Sequence, residues 1–185
     1  MERILIICFV LFCVIPFAII VPFYNRFVTL KNYIKEAFST MDVYMKKRWD
    51  LIPNLVETTK GYMQHENEVL EKVTQLRNHN YGSLNNQEKM DINNKLTFGL
   101  SNLIATAENY PDLKANENFA NLMAELTNIE NDIAESRKYY NGTVREYNTA
   151  IQLFPGVIIA SLFNFREENL FEIEDNERKN VKVEF

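Results

Sequence analysis

The chain has 185 residues, of which 46% are hydrophobic and 24% are charged, and its formal net charge is −5. Its 20 lysines and arginines are spread among 25 carboxylates rather than gathered into a basic patch, so the sequence gives no support to nucleic-acid binding. The two cysteines, Cys8 and Cys13, both lie near the start, which leaves the rest of the chain without a disulfide, a thiolate zinc site or a cysteine nucleophile.

An uncharged apolar run from Ile4 to Phe23 begins the chain. About 20 residues at 1.5 Å per residue cover roughly 30 Å, the thickness of the hydrocarbon core of a bilayer. Arg3 precedes the run, and Tyr24 and Arg26 follow it as an interfacial aromatic residue and a flanking cation. We therefore predict a single-pass transmembrane helix. Its span residues include Ile4, Phe9, Phe12, Val14, Ile15, Phe17, Ile19 and Phe23.

A cleaved signal peptide is the alternative interpretation of this run, and it requires small residues at a processing site. Residues 22–26 are bulky throughout, and neither cysteine follows the small residues that a lipoprotein anchor needs. An uncleaved anchor is therefore the prediction.

Charges on the two sides of the run bear on orientation. Arg26, Lys31 and Lys35 follow it, whereas only Arg3 precedes it and Glu2 partly offsets that charge. The positive-inside rule therefore favours a cytoplasmic location for the remainder of the chain.

A helical pattern follows directly, with the 3-4 spacing that a coiled-coil seam shows. The seam residues are Phe27, Leu30, Ile34, Ala37, Met41, Tyr44, Arg48 and Leu51. Proline suits the first turn of a new helix, so we predict a reversal at Pro53 and a second helix that runs to about His79. Because the apolar register stays in phase across Pro53, one kinked helix is the alternative.

Two further helices are predicted after turn residues at 80–86. A third helix carries an apolar stripe and ends before Pro111. Asn116 is expected to cap a fourth helix, which continues through Gly142 for about 36 residues, although glycine lowers helix propensity. The predicted fold class is all-α: one N-terminal transmembrane helix and then an antiparallel four-helix bundle with long helices over residues 24–152.

Residues 153–165 are again strongly apolar, but they are too few to span a bilayer. They either lie in the membrane interface or fold back on the bundle. The candidate contact residues are Phe154, Pro155, Ile158, Ile159, Leu162, Phe163 and Phe165. The charged tail, 166–185, ends in an alternating pattern that predicts a short extended segment or a frayed end.

Catalytic and metal-binding patterns are weak. His65 and His79 are fourteen residues apart, whereas a zinc-binding helix places two histidines at i and i+4. Neither histidine has a glutamate three residues before it, which excludes the di-metal carboxylate motif of helical bundles. We therefore predict no metal, no cofactor and no catalytic residue. The carboxylates near apolar stripes are Glu36, Asp42, Glu57, Glu130 and Glu146.

Polar residues also occur within the apolar stripes. Arg48 is interpreted as a snorkelling arginine or as one ion-paired beside Asp50 or a facing carboxylate such as Glu57, and the alternative is a core polar residue that fixes helix register. The pairs at 140–141 and 147–148, each Tyr-Asn, recur at heptad spacing. They favour buried tyrosines with hydrogen-bonded hydroxyls, and a ligand site is the alternative.

Several segments together resemble the LemA family. They are residues 24–25, 34–38, 41–43, 47–56, 61–62, 110–119, 139–141, 144–148, 151–155 and 181–185. Departures from the family pattern are mild, with Phe38 where tryptophan is usual, Trp49 where tyrosine is usual and Asn180 where proline is usual.

The resemblance implies a bacterial single-span membrane protein with a helical bundle and no established catalytic activity. Members are often encoded near membrane metallopeptidases, and one branch serves in magnetosome membranes. Two functions are therefore expected as alternatives. The first is a scaffold or adaptor for membrane proteolysis or envelope quality control in the cell membrane, which binds another membrane protein. The second is a membrane-organising or tethering protein whose C-terminal apolar segment contacts the bilayer. The oligomeric state stays open.

Overall fold

The computed structural model describes residues 1–63, 66–76 and 80–172, apart from the side chains of Ile4, residues 6–16 and Asn67. Its regular elements within these ranges are all helical. They are α1 (Glu2–Lys60), α2 (Asn67–Gln75), α3 (Asn86–Ala107), α4 (Pro111–Lys114), α5 (Glu117–Gln152) and α6 (Gly156–Leu162), with a 3₁₀ turn at Tyr81–Ser83. The predicted all-α class is confirmed.

The predicted reversal at Pro53 is wrong, because α1 continues through this residue to Lys60. Pro53 has no N–H to donate to the carbonyl of Trp49, and a proline inside a helix costs about 3 kcal/mol. Leu51, Ile52 and Leu55 around it are buried, and burying each such side chain contributes about 1.5–3 kcal/mol. Packing of this segment therefore outweighs the local penalty, and the in-phase register that the sequence showed across Pro53 reflects one helix.

The chain turns after α1 instead, at Gly61 and Tyr62. The second helix, α2, is consequently only 9 residues long rather than a partner of equal length. The predicted end of this helix at His79 lies outside the described residues, as does the tail from residue 173 onward.

Capping residues determine where the later helices begin. At α3, the Asn85 side chain accepts from the Glu88 N–H while the Glu88 side chain accepts from the Asn85 N–H, a reciprocal capping box. The Asn116 side chain accepts a 3.0 Å hydrogen bond from the Phe119 N–H at the start of α5. The predicted cap and the passage of α5 through Gly142 are both confirmed.

Two compact units divide the chain. The first comprises Met1–Ala37 and Lys138–Leu170. In it the start of α1 and the end of α5 run antiparallel, since Phe27 lies level with Ala150 and Lys31 lies level with Tyr147. Its buried core consists of Phe27, Leu30, Ile34, Ala37, Tyr140, Val144, Tyr147, Ile151 and Ile159.

The second unit comprises Phe38–Arg137 and Phe171–Phe185, of which residues up to 172 are described. Here α1 and α3 run in the same direction, because Asp42 bonds Lys89 and Arg48 bonds Thr97. Most residues of the predicted 3-4 stripes lie in the core, although Tyr44 is only partly buried and Tyr62 is exposed. Met45 and Trp49, which the predicted stripe omitted, are also buried. The core includes Met41, Leu55, Val73, Leu96, Leu100, Leu103, Leu126, Ile129 and Ile133.

The predicted anchor is helical in its backbone from Glu2 onward and passes through Pro16 and Pro22 without a break. Ile4, Phe9, Phe12, Val14 and Ile15 lie outside the described side chains. Within the part of the chain that the structure describes, no helix combines the length and the apolar character that crossing a bilayer requires.

Candidate functional site

Helix α6 packs in the first unit through an unusually close approach at its first residue. A Cβ atom on Gly156 would lie 2.5 Å from the carbonyl oxygen of Ala150 and 3.1 Å from Cζ of Phe27. Only glycine lets the backbone come this near. Ile159 and Ala160 are buried on the same side of the helix. The docked helix therefore lies beside the segment of α1 that follows the apolar run.

Aromatic rings fix the chain as it leaves α6. The rings of Phe163 and Phe165 meet Tyr24 edge to face, with centroid distances of 5.0 and 5.5 Å. Phe165 also meets Phe27 at 5.3 Å. Such pairs add roughly 0.5–1.5 kcal/mol each to the burial of their surface. The start of α6 and the residues just after its end are thus both packed against α1.

The segment after α6, residues 163–170, begins with a turn at 163–164, continues without regular secondary structure along α5, and is held by side chains of that helix. The Tyr147 hydroxyl donates to the carbonyl of Arg166 at 2.9 Å, and the Tyr140 hydroxyl donates to the carbonyl of Asn169 at 2.9 Å. The amide of Asn148 both donates to the carbonyl of Glu168 and accepts from its N–H, at 2.9 and 3.0 Å. We call residues 163–170 the return segment.

These contacts explain the Tyr-Asn pairs of the sequence. Tyr140 and Tyr147 are buried with bonded hydroxyls, as the packing interpretation predicted, and the partners are backbone groups of the return segment. Burial raises the pKa of Tyr147 to about 12, with a smaller contribution from the charge of Glu168, and burial raises the pKa of Tyr140 as well. Glu168 also pairs with Lys31 at 2.9 Å, a contact that the sequence did not indicate.

The candidate contact residues of 153–165 divide between two environments. Ile159 is buried, and Pro155 and Phe165 are partly buried, so these three contribute to internal packing. Phe154, Ile158 and Leu162 are 80%, 60% and 68% exposed. Ile158 and Leu162 are four residues apart in α6 and therefore share one face of the helix, whereas Phe154 lies in the turn before it. The exposed neighbours on this surface are Leu153, Val157 and Phe163. We call this set the α6 face.

The predicted span residues with described side chains adjoin this region. Phe17 and Ile19 are exposed, and Phe23 is partly buried against Phe27. Apolar surface thus continues from the end of the Ile4–Phe23 run to the α6 face within the same unit.

Arg48 is the largest fully buried side chain among the described residues. Its guanidinium donates to Glu130 Oε1 at 2.5 Å, to Thr97 Oγ1 at 2.8 Å and to the carbonyl of Asn93 at 2.6 Å, and it also bonds the Asn93 side chain. Burial lowers the pKa of Arg48, and the charge of Glu130 opposes that shift.

The carboxylates suggested from sequence as partners of Arg48 are engaged elsewhere. Asp50 pairs with Lys46 instead, and Glu57 is exposed. The prediction of an ion pair with a facing carboxylate therefore agrees with the structure, but neither named residue is the partner. Glu130 lies 82 residues away along the chain, and only the packing of α5 on α1 identifies it.

Among the described residues, no group of three or more histidines, cysteines or carboxylates is placed so that it could hold a metal ion. His65 and His79 lie outside these residues. Asp42, a candidate carboxylate, pairs with Lys89 at 2.7 Å and accepts from the Tyr81 hydroxyl at 2.6 Å. Burial raises the pKa of Tyr81, and Asp42 raises it further. This cluster has every polar group matched to another and serves packing.

Comparison with known proteins places these features in a family context. The model of the LemA family matches residues 37–185. Protein LemA of Metamycoplasma hominis is 24% identical over 178 residues, which is 94% of this chain and 81% of that protein. Magnetosome protein MamQ of Magnetospirillum gryphiswaldense is 24% identical over 174 residues, and Magnetosome protein MamQ 2 of Paramagnetospirillum magneticum is 24% identical over 175 residues. Each of these alignments covers 80% of this chain and 64% of the relative, so the chain spans just under two thirds of the magnetosome proteins' length.

Proposed function

The chain belongs to the LemA family, and we propose that it is a membrane-anchored, non-catalytic bundle protein whose α6 face rests in the surface of the bilayer. The observation that carries this proposal is the exposed α6 face beside Phe23 and Phe27, directly after the apolar run. In this proposal the chain has a transmembrane anchor over Ile4–Phe23 and a second, shallower contact with the bilayer through the α6 face.

The energetic argument starts from the cost of leaving this surface in water. Full burial of one large apolar side chain is worth about 1.5–3 kcal/mol, and Phe154, Ile158 and Leu162 are each more than half exposed. A contiguous apolar patch of this kind marks a contact with a membrane or a protein. Because α6 is fixed where the chain leaves the proposed anchor, the bilayer surface is the apolar phase within reach.

The composition of α6 supports an interfacial position. No charged residue occurs between 153 and 165, so nothing in the segment opposes entry into the headgroup boundary. A helix of 7 residues cannot span a bilayer, whereas an apolar face of this size can lie about 5–10 Å deep in the interface.

The test uses the full chain in lipid nanodiscs, with Cys8 and Cys13 replaced by serine and a fluorophore attached through Ile158→Cys. Lipids brominated near the headgroup should quench this fluorophore strongly. Ala124→Cys, at an exposed position of α5 in the second unit, is the matched control and should be quenched weakly. Equal quenching at the two positions would refute the bilayer contact.

For orientation and partners we propose a cytoplasmic location for the bundle and a second membrane protein as its partner, in membrane proteolysis or envelope quality control. The charges that follow the run favour this orientation. In the second unit Phe98 is 62% exposed on α3 and offers an apolar contact. A photoreactive residue at position 98 should crosslink in cells to a membrane protease or its complex. Crosslinks to lipid or to the chain itself alone would count against the adaptor role.

A further inference from the structure

A concave pocket of about 410 Å³ opens in the first unit between α1 and the end of α5. Its apolar wall is formed by Phe23, Phe27, Leu153 and Phe154. Its polar rim is formed by Arg26 of α1 and by Arg145 and Glu146 of α5. The pocket thus combines an apolar wall with a rim of two cations and one anion.

The two rim arginines form no polar contact within the described residues of this unit. Arg26 and Arg145 are both exposed, and neither makes a hydrogen bond or an ion pair with any residue of the described chain. Lys31, by contrast, is paired with Glu168 nearby on the same unit. With Glu146 as the one carboxylate of the rim, the pocket carries a net positive charge that suits an anion.

The depth of the pocket suits a lipid. Arg26 lies three residues beyond Phe23, which at 1.5 Å per residue is about 4.5 Å past the end of the apolar run. The headgroup layer of one leaflet is about 5–7 Å thick, so a guanidinium at this depth is level with lipid phosphates. The wall residues Leu153 and Phe154 also belong to the α6 face, so the wall is continuous with the surface where acyl chains would lie.

We propose that this pocket binds one anionic glycerophospholipid, with its phosphate between Arg26 and Arg145 and an acyl chain against Phe23, Leu153 and Phe154. The planar guanidinium donates two parallel hydrogen bonds to phosphate oxygens, which makes arginine well suited to this group. The inference rests on the proposed function for its depth argument, since the anchor over Ile4–Phe23 places the rim at the membrane surface. The apolar wall favours a lipid over a soluble phosphate, because a soluble phosphate has no acyl chain to pack against it.

The experiment is native mass spectrometry of the full chain released from detergent micelles that contain equal amounts of phosphatidylglycerol and phosphatidylcholine. We expect one phosphatidylglycerol to be retained in preference. Arg26→Gln and Arg145→Gln should each weaken its retention about fivefold, the effect of one basic side chain beside an anionic lipid. Glu146→Gln should strengthen retention, because it removes the carboxylate from the rim.

Matched controls separate site binding from general charge. Lys95→Gln removes one positive charge from an exposed position of α3 in the second unit and should leave retention unchanged. Circular dichroism melts of all variants should coincide, since each altered side chain is exposed. Leu153→Ser should weaken binding of the diacyl lipid and leave binding of water-soluble glycerol phosphate unaltered.

Equal retention of the two lipids, or the same loss of phosphatidylglycerol in Lys95→Gln as in Arg26→Gln, would overturn the lipid site. Glycerol phosphate that bound as tightly as the diacyl lipid would also overturn it, in favour of a soluble anion. Failure here is distinguishable from failure of the proposed function. The fluorophore at position 158 would still report the bilayer if only the lipid site were absent. Retention of one lipid in micelles would still hold if only the α6 contact were absent.

Discussion

Arg48 illustrates how one buried charge can connect three helices. It belongs to α1, its acceptors Asn93 and Thr97 belong to α3, and its counter-ion Glu130 belongs to α5. A buried ion pair adds little net stability, because removing both charges from water costs about as much as their attraction returns. Its geometry is nevertheless specific, since sliding any one helix by a turn would separate these groups. We therefore propose that Arg48 fixes the register of α1 against α3 and α5.

We expect Arg48→Met to lower the free energy of unfolding by about 2–3 kcal/mol, measured by urea titration in detergent with circular dichroism. Loss of the cation leaves Asn93 and Glu130 without their partner. The value lies below the roughly 3–5 kcal/mol of fully buried pairs, because the side chain of Glu130 is 35% exposed and retains water. Lys95→Met, at an exposed position, should change the value by less than about 0.5 kcal/mol.

The double variant Arg48→Met with Glu130→Leu separates stability from register. Replacement of both charges by apolar groups should recover most of the lost stability. If register depends on Arg48, engineered cysteine pairs between α1 and α3 should crosslink at more than one spacing in the double variant. A single spacing, the same as in the wild type, would refute the role in register.

Tyr147 should make the free energy of unfolding depend on pH in the alkaline range. Its pKa of about 12 in the folded state exceeds the value near 10 of an unfolded chain. Below pH 10 the phenol is neutral in both states, and its contribution to stability is complete. As the pH rises from about 10 to 12, the unfolded chain releases its proton first, so the contribution is lost.

We expect Tyr147→Phe to cost about 0.5–1.5 kcal/mol near neutral pH, because the hydrogen bond to the carbonyl of Arg166 disappears. The difference from the wild type should shrink between pH 10 and 12, where the wild type alone carries this buried phenol. Urea titrations at several pH values measure it. Tyr139→Phe, at an exposed position, should follow the wild type throughout. A difference that stayed constant to pH 12 would contradict the assignment.

At the scale of elements, α6 depends on the close contact at Gly156, whereas α5 only tolerates Gly142. Nothing lies within 4 Å of a Cβ built on Gly142, but one on Gly156 would meet the carbonyl of Ala150 at 2.5 Å. The same substitution should therefore have opposite effects at the two positions.

Gly156→Ala should destabilise the docking of α6 by about 1–3 kcal/mol, since the backbone or Phe27 must move to admit a methyl group. Gly142→Ala should stabilise the protein by about 0.5–1 kcal/mol through helix propensity. Hydrogen exchange of residues 156–162 measures the first effect, and thermal unfolding measures the second. A stable, protected α6 in Gly156→Ala would show that the approach is looser than the distances indicate.

The helices that the sequence predicted well are those whose apolar residues recur with 3-4 spacing. Ile92 to Ala107 and Phe119 to Ile151 are buried stripes of α3 and α5, and the Asn116 cap is a local signal. The reversal predicted at Pro53 is wrong, because the burial of neighbouring leucine and isoleucine side chains outweighs the tendency of proline to end a helix. Local pattern predicts an element, but tertiary packing decides where a helix containing a proline ends.

Contacts between elements distant in sequence could not be predicted in this way. Two examples are the ion pair of Arg48 with Glu130 and the hydrogen bond of Asn148 to the backbone of Glu168. Both contacts depend on which segments become neighbours in the fold. The apolar character of 153–165 was evident from sequence, but which of its residues face outward depends on the docking of Gly156. The sequence therefore indicated which region forms the candidate site, and the structure shows which of its side chains are exposed.

At the scale of the whole molecule, three features of the chain bear on its function. They are an apolar run at the start of α1, a helix docked where that run ends, and a bundle unit with its own core. Under the proposed function, the first two hold the protein at a bilayer by two contacts of different depth. The bundle unit is then proposed as the part that binds a partner.

A spin-label scan of residues 154–162, in the full chain in nanodiscs, measures directly whether the α6 face contacts the bilayer. Each label reports whether it collides with oxygen, which concentrates in lipid, or with a water-soluble nickel complex. Within α6 we expect a helical period, with lipid contact greatest at 158 and 162 and low at 159 and 160, and we expect lipid contact also at the exposed residue 154 before the helix. Uniform contact with the nickel complex at every position would contradict it and would leave the α6 face to a protein partner.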